Sequence, residues 1–320
     1  MKYSVIGTSW ITASFIDGAS LCENLELDAV YSRTREKGEA FAAENGAKRV
    51  FTDFNDLLEC DSDFIYIASP NALHYPQAKA LLEAGKNVIC EKPITVTAAE
   101  FCELCDIADR NGCIYFEAIM YMHAVARDTL KDAVKRLGNI SSAHIDYSQL
   151  SSKYPALMRG ELPNIFNPEM KTGALNDLGI YCVYPIVDIF GMPESITPVQ
   201  YFLPTGADGS GCAAYKYSDK LITVTYSKTG QSRTNSQIIG DKGTLTVDSI
   251  SMVTGITLYD NAGNSELLVD EVTKRELMGN EARDMVRFIT EKEKYAAFYA
   301  ECREMNKKVL RCMEMMRTDR

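Results

Sequence analysis

Two short segments hold the residue types needed to move a proton. Residues 87–93 read NVICEKP, so Glu91, Lys92 and Pro93 close a run of apolar and β-branched residues. The carboxyl end of a core strand is where open α/β sheets bind their ligands, and Lys92 there would set a positive charge beside a reacting oxygen. Residues 173–181 read GALNDLGIY. Asp177 and Tyr181 are four apart, so on a helix they share one face. A carboxylate and a phenol held together can pass a proton or orient a hydroxyl. Taken bare, Glu-Lys-Pro is a tripeptide without meaning, and Asp177 and Tyr181 are a helix-start acid and a half-buried ring. Position in the fold is what separates the two readings.

A third segment, VIGTSWIT at 5–12, bears on phosphate. A phosphate-binding turn wants glycine where the chain bends, where backbone approaches the pyrophosphate, and where helix packs on strand. Gly7 fills the first place; Ser9 and Thr12 occupy the other two. With Thr8, Trp10 and Ile11 they would bring backbone amides to a helix N-terminus, which suits an anion. A purely structural strand-to-helix turn is the alternative. The second strand ends in Tyr31-Ser32-Arg33-Thr34, with no acid before Glu36. An NAD-preferring site places Asp or Glu there for the ribose hydroxyls, whereas Ser32 and Arg33 suit the 2′-phosphate of NADP; a solvated loop with a stray arginine is the competing reading. Ser69, Pro70, Asn71 and His74 follow a later strand at the same sheet edge, and with Glu91 and Lys92 they complete the expected cofactor contacts.

The elements that must position these residues follow from pattern. Apolar runs at Tyr3 to Ile6, Leu27 to Tyr31, Phe64 to Ala68, Asn87 to Cys90 and Ile114 to Phe116 alternate with helical stretches. This is the pattern of a parallel sheet with crossover helices. Glu36 to Asn45 ends at Gly46 and Pro76 to Ala84 ends at Gly85, each a glycine able to take the left-handed cap. Thr97 and Glu100 form a capping box for a helix that stops near Asn111-Gly112. Residues 1–120 therefore form an α/β Rossmann domain, a doubly wound parallel sheet.

Residues 121–320 read as an α+β domain with a large open, mostly antiparallel sheet, for substrate binding and oligomerisation. An amphipathic helix runs near Val125 to Leu137. A long stretch from Ser151 to Lys171 lacks clear pattern; Tyr154, Asn164 and Asn167 in it, with Tyr121, are candidate substrate contacts, because loops of that length are usually functional or disordered. A helix from about Leu175 to Phe190 carries Asp177 and Tyr181. Strands fill Gln200 to Val269, separated by turns such as Gly240-Asp241-Lys242-Gly243, and His144 falls in a further strand. Helical sequence resumes from about Glu281.

Composition narrows the function. A chain of 320 residues suits two domains. Its net charge of -10 argues against nucleic acid or an anionic membrane as partner. The N-terminus MKYSVIGTSW is neither a signal peptide nor a membrane span. Ten cysteines without an export signal read as reduced thiols in the cytoplasm. Cys102 and Cys105 have no second pair at zinc spacing, and no histidine has a second ligand nearby, so no metal is expected.

These segments, in this order, resemble the glucose–fructose oxidoreductase, inositol dehydrogenase and MocA family across nearly the whole chain. IASPNALH at 67–74, ICEKP at 89–93, FEAIMY at 116–121, NPEMKTGALNDLGIY at 167–181 and IIGDKGTLTV at 238–247 carry the likeness. The resemblance implies a domain binding NADP, preferred here, or NAD. It also implies a homodimer or dimer of dimers through the second sheet, and Lys92, Asp177 and Tyr181 around the reacting carbon. Tyr at 181, rather than His, points to the dihydrodiol and xylose dehydrogenase branch. His123 stands where family members carry His or Phe at the pocket floor. Two departures concern the substrate: the Arg of the branch's E-A-x-x-x-R segment is Met122 here, and the glycine-rich approach to the catalytic helix is Lys171-Thr172-Gly173.

The implied reaction is reversible hydride transfer between a nicotinamide and a secondary alcohol of a sugar, polyol or cyclic diol, with no metal. A free tyrosine ionises near about 10, so Tyr181 as a base needs a neighbouring cation. The rival reading is a nucleotide-binding sensor or regulator on the same fold, favoured by the worn glycine turn and opposed by the retention of Lys92, Asp177 and Tyr181 together.

Overall fold

The apolar runs near the N-terminus form strands whose side chains are buried on both faces, as a sheet covered by helices on both sides requires. The computed structural model describes residues 1–318. It separates into one unit of Met1–His123 with Thr273–Lys307, and a second of Ala124–Val272 with the chain from Lys308 onward.

In the first unit the order is β1 (Lys2–Ile6), α1 (Trp10–Ala19), β2 (Glu26–Tyr31), α2 (Arg35–Asn45), β3 (Arg49–Phe51), α3 (Phe54–Glu59), β4 (Phe64–Ile67), α4 (Asn71–Glu83), β5 (Asn87–Glu91), α5 (Ala98–Asn111), β6 (Tyr115–Ala118) and α6 (Met120–His123). The strands lie in the order β3-β2-β1-β4-β5-β6, all parallel. The winding reverses between β1 and β4, which makes their carboxyl ends the crevice where a dinucleotide binds in such a sheet. Phe15 of α1 stacks on Tyr66 of β4 with ring centroids 3.8 Å apart.

In the second unit, α7 (Ala126–Arg136) leads to β7 (Ile140–Ser148), α8 (Tyr154–Met158), a π-helical turn at Leu175–Gly179 running into α9 (Ile180–Phe190), and then β8 (Ser195–Phe202), β9 (Asp208–Lys216), β10 (Leu221–Ser227), β11 (Ser236–Gly240), β12 (Gly243–Ser249), β13 (Thr254–Asp260) and β14 (Ser265–Val269). The sheet order is β14-β13-β12-β11-β7-β10-β9-β8. Every pairing is antiparallel except that of β7 with β10. Ile222, Val224 and Tyr226 of β10 are buried, while Leu221 on the opposite face is exposed, as are Val199 and Tyr201 of β8.

Four sequence expectations need correction. The helix expected from Pro76 begins at Asn71, with Pro70 as its N-cap and Pro76 inside it. Its first turn is tied down by His74, which no local rule anticipates. The short β3 and α3 between the second and third apolar runs were not expected. The stretch 151–171 is not structureless: it holds α8 and two 3₁₀ turns, Asn164–Phe166 and Pro168–Met170.

The fourth correction concerns the C-terminal helices, α10 (Lys274–Thr290) and α11 (Lys292–Met315). Helix α10 starts seven residues before Glu281, behind a capping box of Thr273 and Glu276. It returns to the N-terminal unit, which therefore includes Thr273–Lys307 as well as the first 123 residues. The reason is steric: Gly18 of α1 and Gly279 of α10 allow the two helices to touch, and a Cβ at Gly18 would lie 2.8 Å from the Gly279 nitrogen.

Candidate functional site

The cofactor end of the first unit begins at Gly7, which follows β1 with φ of +109°. A Cβ there would lie 2.7 Å from the carbonyl oxygen of Ala68 at the end of β4, so both the dihedral and the space demand glycine. The turn that follows has no such need at its other positions. Ser9 is the N-cap of α1 without a side-chain cap bond, and Thr12 is buried with its hydroxyl 3.4 Å from that of Ser9. Thr8 and Ile11 are half-buried beside it, and Trp10 is 70% exposed. The single glycine that the geometry requires is the one present, and the cradle fits a dinucleotide pyrophosphate.

Around this turn Ser32 is buried at the end of β2 and its oxygen accepts from the Thr34 amide; Arg33 is exposed. Ser69 and Pro70 are half-buried, and the Ser69 hydroxyl donates to Gln77 at 2.7 Å. Asn71 opens α4. His74 corrects the expectation that it borders the cofactor. It is fully buried, with Nδ1 2.9 Å from the Pro93 carbonyl oxygen and Nε2 2.8 Å from that of Ser69. Both carbonyls favour the charged ring, yet burial outweighs them and holds the imidazole below the usual histidine range. His74 is thus a strut joining the Ser69 loop to the Glu91-Lys92-Pro93 segment. Glu91 is likewise buried and accepts from the Tyr66 hydroxyl; burial raises its carboxyl above the ordinary range. Lys92 is half-buried and precedes a cis peptide to Pro93.

Two other residues singled out in the sequence are buried in this unit. Tyr121 in α6 is fully buried and presents no surface to a substrate. His123 is buried too, its Nδ1 2.8 Å from a carboxyl oxygen of Asp284 in α10.

In the second unit the structure puts Asp177 in the π-helical turn and Tyr181 at the start of α9. Such wide turns are frequent at functional sites. Both side chains are half-buried. Asp177 is paired with Lys228, whose ammonium donates to Oδ2 from a nearly buried side chain just past β10. Tyr181 meets Tyr147 of β7 edge to face, centroids 5.5 Å apart. Lys228 is a candidate site residue that sequence reading missed. It follows the strand LITVTYS without any motif, and only the pairing of β10 beneath the helix brings it to Asp177. Gly179 makes that approach possible, since a Cβ there would crowd Leu175 and the Tyr226 ring at 2.9 and 3.3 Å.

Gly173 has φ of +105°, and a Cβ on it would collide with the carboxylate of Asp208. That carboxylate accepts from the Leu175 amide at 2.6 Å, so it caps the helix bearing Asp177 from across the fold. Of Lys171-Thr172-Gly173, only the last position is therefore sterically constrained to glycine; Lys171 takes a left-handed φ of 51°. Asp208 lines a pocket with Asn176, Gln200 and Arg317. Of the other substrate candidates, Tyr154 is half-buried against Phe166, Asn164 is exposed, and Asn167 uses its side-chain oxygen to cap the Glu169 amide. Among the described residues no group of three or more His, Cys, Asp or Glu is arranged to hold a metal, and no helix is long and apolar enough to cross a membrane.

Comparison with known proteins agrees with this architecture. Residues 1–119 match the model of an oxidoreductase family with an NAD-binding Rossmann fold, and residues 128–246 match the GFO/IDH/MocA C-terminal domain. The chain is 36% identical over 251 residues to a scyllo-inositol 2-dehydrogenase (NADP(+)) of Bacillus subtilis, covering 78% of this chain and 76% of that one. It is 25% identical to a trans-1,2-dihydrobenzene-1,2-diol dehydrogenase of Xenopus tropicalis, covering 78% and 75%. A 3-ketoreductase from Actinomadura kijaniata, solved with NADP and TDP-benzene, superposes with a TM-score of 0.84 at 18% identity, covering 98% and 96%. At that identity the likeness is one of fold.

The Asp208 cap carries a pH signature. Burial pushes its carboxyl up to about 6, against a usual 3.8, despite the backbone amides that favour its charge. The folded chain then holds this proton through a window where the unfolded chain has lost it, so Asp208 favours folding below pH 4 and that contribution is lost as pH rises toward about 6. Denaturant midpoints of the parent should fall across this window relative to those of Asp208→Asn, which keeps an oxygen for the Leu175 amide. Parallel curves for the two proteins would contradict the assignment.

Proposed function

We propose, from the chain's membership of the GFO/IDH/MocA family of oxidoreductases, that it interconverts a secondary alcohol and a ketone of a sugar, polyol or cyclic diol, with NADP preferred over NAD. The observation that carries the reading is the Asp177–Lys228 pair one helical turn before Tyr181. A fixed carboxylate beside a phenol is suited to orient a substrate hydroxyl and take its proton. A nicotinamide, when bound, supplies the hydride acceptor or donor. Gly7 to Ile11 would hold its pyrophosphate, Ser32 and Arg33 its ribose phosphate, and Ser69 to Asn71 its edge. Lys92 and Tyr181 are the candidates for exchanging the proton, with Asp177 as orienting group; the assignment of all three to one hydroxyl rests on the family motifs.

We further propose a cytoplasmic setting, in keeping with ten free cysteines, and a dimer formed through the open sheet face that exposes Val199, Tyr201, Leu221 and Leu267. Exposed apolar patches of this kind mark interfaces. Light scattering at micromolar concentration should return at least twice the chain mass; a monomer would remove the proposal.

Activity is tested by incubating the protein with NADP or NAD and a panel of cyclic polyols, aldoses and dihydrodiols while following reduced nicotinamide. Lys92→Met and Tyr181→Phe should each lose about 10² to 10⁴ in turnover with cofactor binding intact, the usual worth of general acid–base catalysis. Turnover within a few-fold of the parent in both would reject the site. Tight NADP binding without turnover on any member of the panel would instead favour a sensor.

Cofactor choice has its own test. Arg33→Ala should weaken NADP by about tenfold and leave NAD nearly unchanged, since charge-assisted bonds to a phosphate are the stronger class. Equal losses for both would transfer Arg33 to another role.

A further inference from the structure

The one parallel pairing of the second sheet ends where Asp177 and Tyr181 stand. Strands β7 and β10 run side by side with Tyr147 paired to Tyr226, so their carboxyl ends lie together. The inward residues of β10 are Ile222, Val224 and Tyr226, all buried. A strand's period of two places Lys228 next in that row, and it is buried as they are. The same alternation on β7 brings Tyr147 inward, where its ring meets that of Tyr181. The backbone of Lys228 is held from both sides: its amide donates to the Gly209 carbonyl at 2.8 Å, and its own carbonyl accepts from the Ser151 amide at 3.0 Å.

An apolar row that closes on a lysine is uncommon, because a charged side chain is rarely buried without a purpose or a partner. The Lys228 ammonium donates to Oδ2 of Asp177, and among the described residues that carboxylate is its single hydrogen-bond partner. An ammonium has three N–H donors and no acceptor. Two donors of a nearly buried cation are therefore not used by the protein, and they stand beside a carboxylate whose side chain is 27% exposed against 11% for the lysine. The two charges cancel, so the pair suits neutral oxygens; a carboxylate or phosphate would bring an unbalanced charge into a nearly buried place.

We propose that Lys228 is a substrate-binding residue that selects an oxygen on the carbon next to the reacting one, so that the substrate is a neutral vicinal diol or α-hydroxyketone. This rests on the nicotinamide-dependent reading given above. Asp177 accepts from one hydroxyl while Lys228 donates to its neighbour, since an ammonium and a carboxylate oxygen in contact are spaced much as the two oxygens of a gauche diol are. A substrate without the second oxygen leaves a buried donor unpaired, which is how a polar site rejects a deoxy analogue. Lysine suits the task as a compact charge with rotatable donors on a flexible stem.

The test uses the whole chain with NADP in excess and two matched pairs of probes: cyclohexane-1,2-diol with cyclohexanol, and glucose with 2-deoxyglucose. In the parent, kcat/KM should favour the member bearing the neighbouring oxygen by about ten- to one-hundred-fold, the worth of one hydrogen bond to a charged group. Lys228→Met keeps the stem and removes the donors, and the preference should disappear there, mainly through KM. Lys228→Arg should restore most of it. Lys228→Gln, which keeps an amide donor, should fall between and stands in if the Met variant does not fold; NADP titration shows which variants are folded. A Lys228→Met chain that loses rate equally on both members of a pair, or on neither, overturns the assignment, the former result leaving Lys228 to orient Asp177 alone. A parent without the preference, or one that turns over neither pair while acting on other polyols, also overturns it and leaves the hydride-transfer reading standing. A parent that turns over no alcohol at all removes that reading, and the assignment with it.

Discussion

The approach of Gly7 to the carbonyl of Ala68 is the constraint on which the first unit's arrangement turns. It lies where the sheet reverses its winding, so two strands with no helix between them in space must end side by side. A side chain at residue 7 would force those ends apart and open the crevice. The neighbouring residues relax around this point. Ser9 and Thr12 stand where glycine is customary, with extended backbone at Ser9 and the two hydroxyls 3.4 Å apart. The same sheet edge carries the Ser69 loop and the Glu91-Lys92-Pro93 segment, and His74 ties the two together through carbonyl oxygens. A buried neutral imidazole donates to one of these two carbonyls and packs against the other, so it still connects the two segments.

Burial also explains why several acids in this unit are structural. Glu117 uses both oxygens internally, accepting from the Ile94 amide at 2.6 Å and from Asn306 at 2.8 Å. Glu281 is buried with one oxygen unpartnered, a costly arrangement for a charge and a tolerable one for a neutral acid.

The second unit solves a different problem. Its helix must present Asp177 and Tyr181 above a sheet while lying close enough to be held by it. Three features achieve this: the wide π-helical turn, Gly179 against Tyr226, and Asp208 capping the start. Lys228 then fixes the Asp177 carboxylate. A pair with one partner nearly buried and the other a quarter exposed is held firmly while remaining open to a ligand.

The sequence by itself determined the class of each half, because hydrophobic period and glycine caps are local signals. The parallel strands, the capping box at Thr97, the left-handed glycines after α2 and α5, and the alternation of β10 were all legible from it. Lys92, Asp177 and Tyr181 were legible as candidates, through motifs short enough to read in line. Other features depended on partners distant in sequence. The early start of α4 hangs on His74, the return of α10 on two glycines 261 residues apart, and the contacts of Asp208 and Lys228 on strand order and helix packing. None of those residues sits in a local pattern, since what selects each is the backbone or side chain that tertiary structure brings against it.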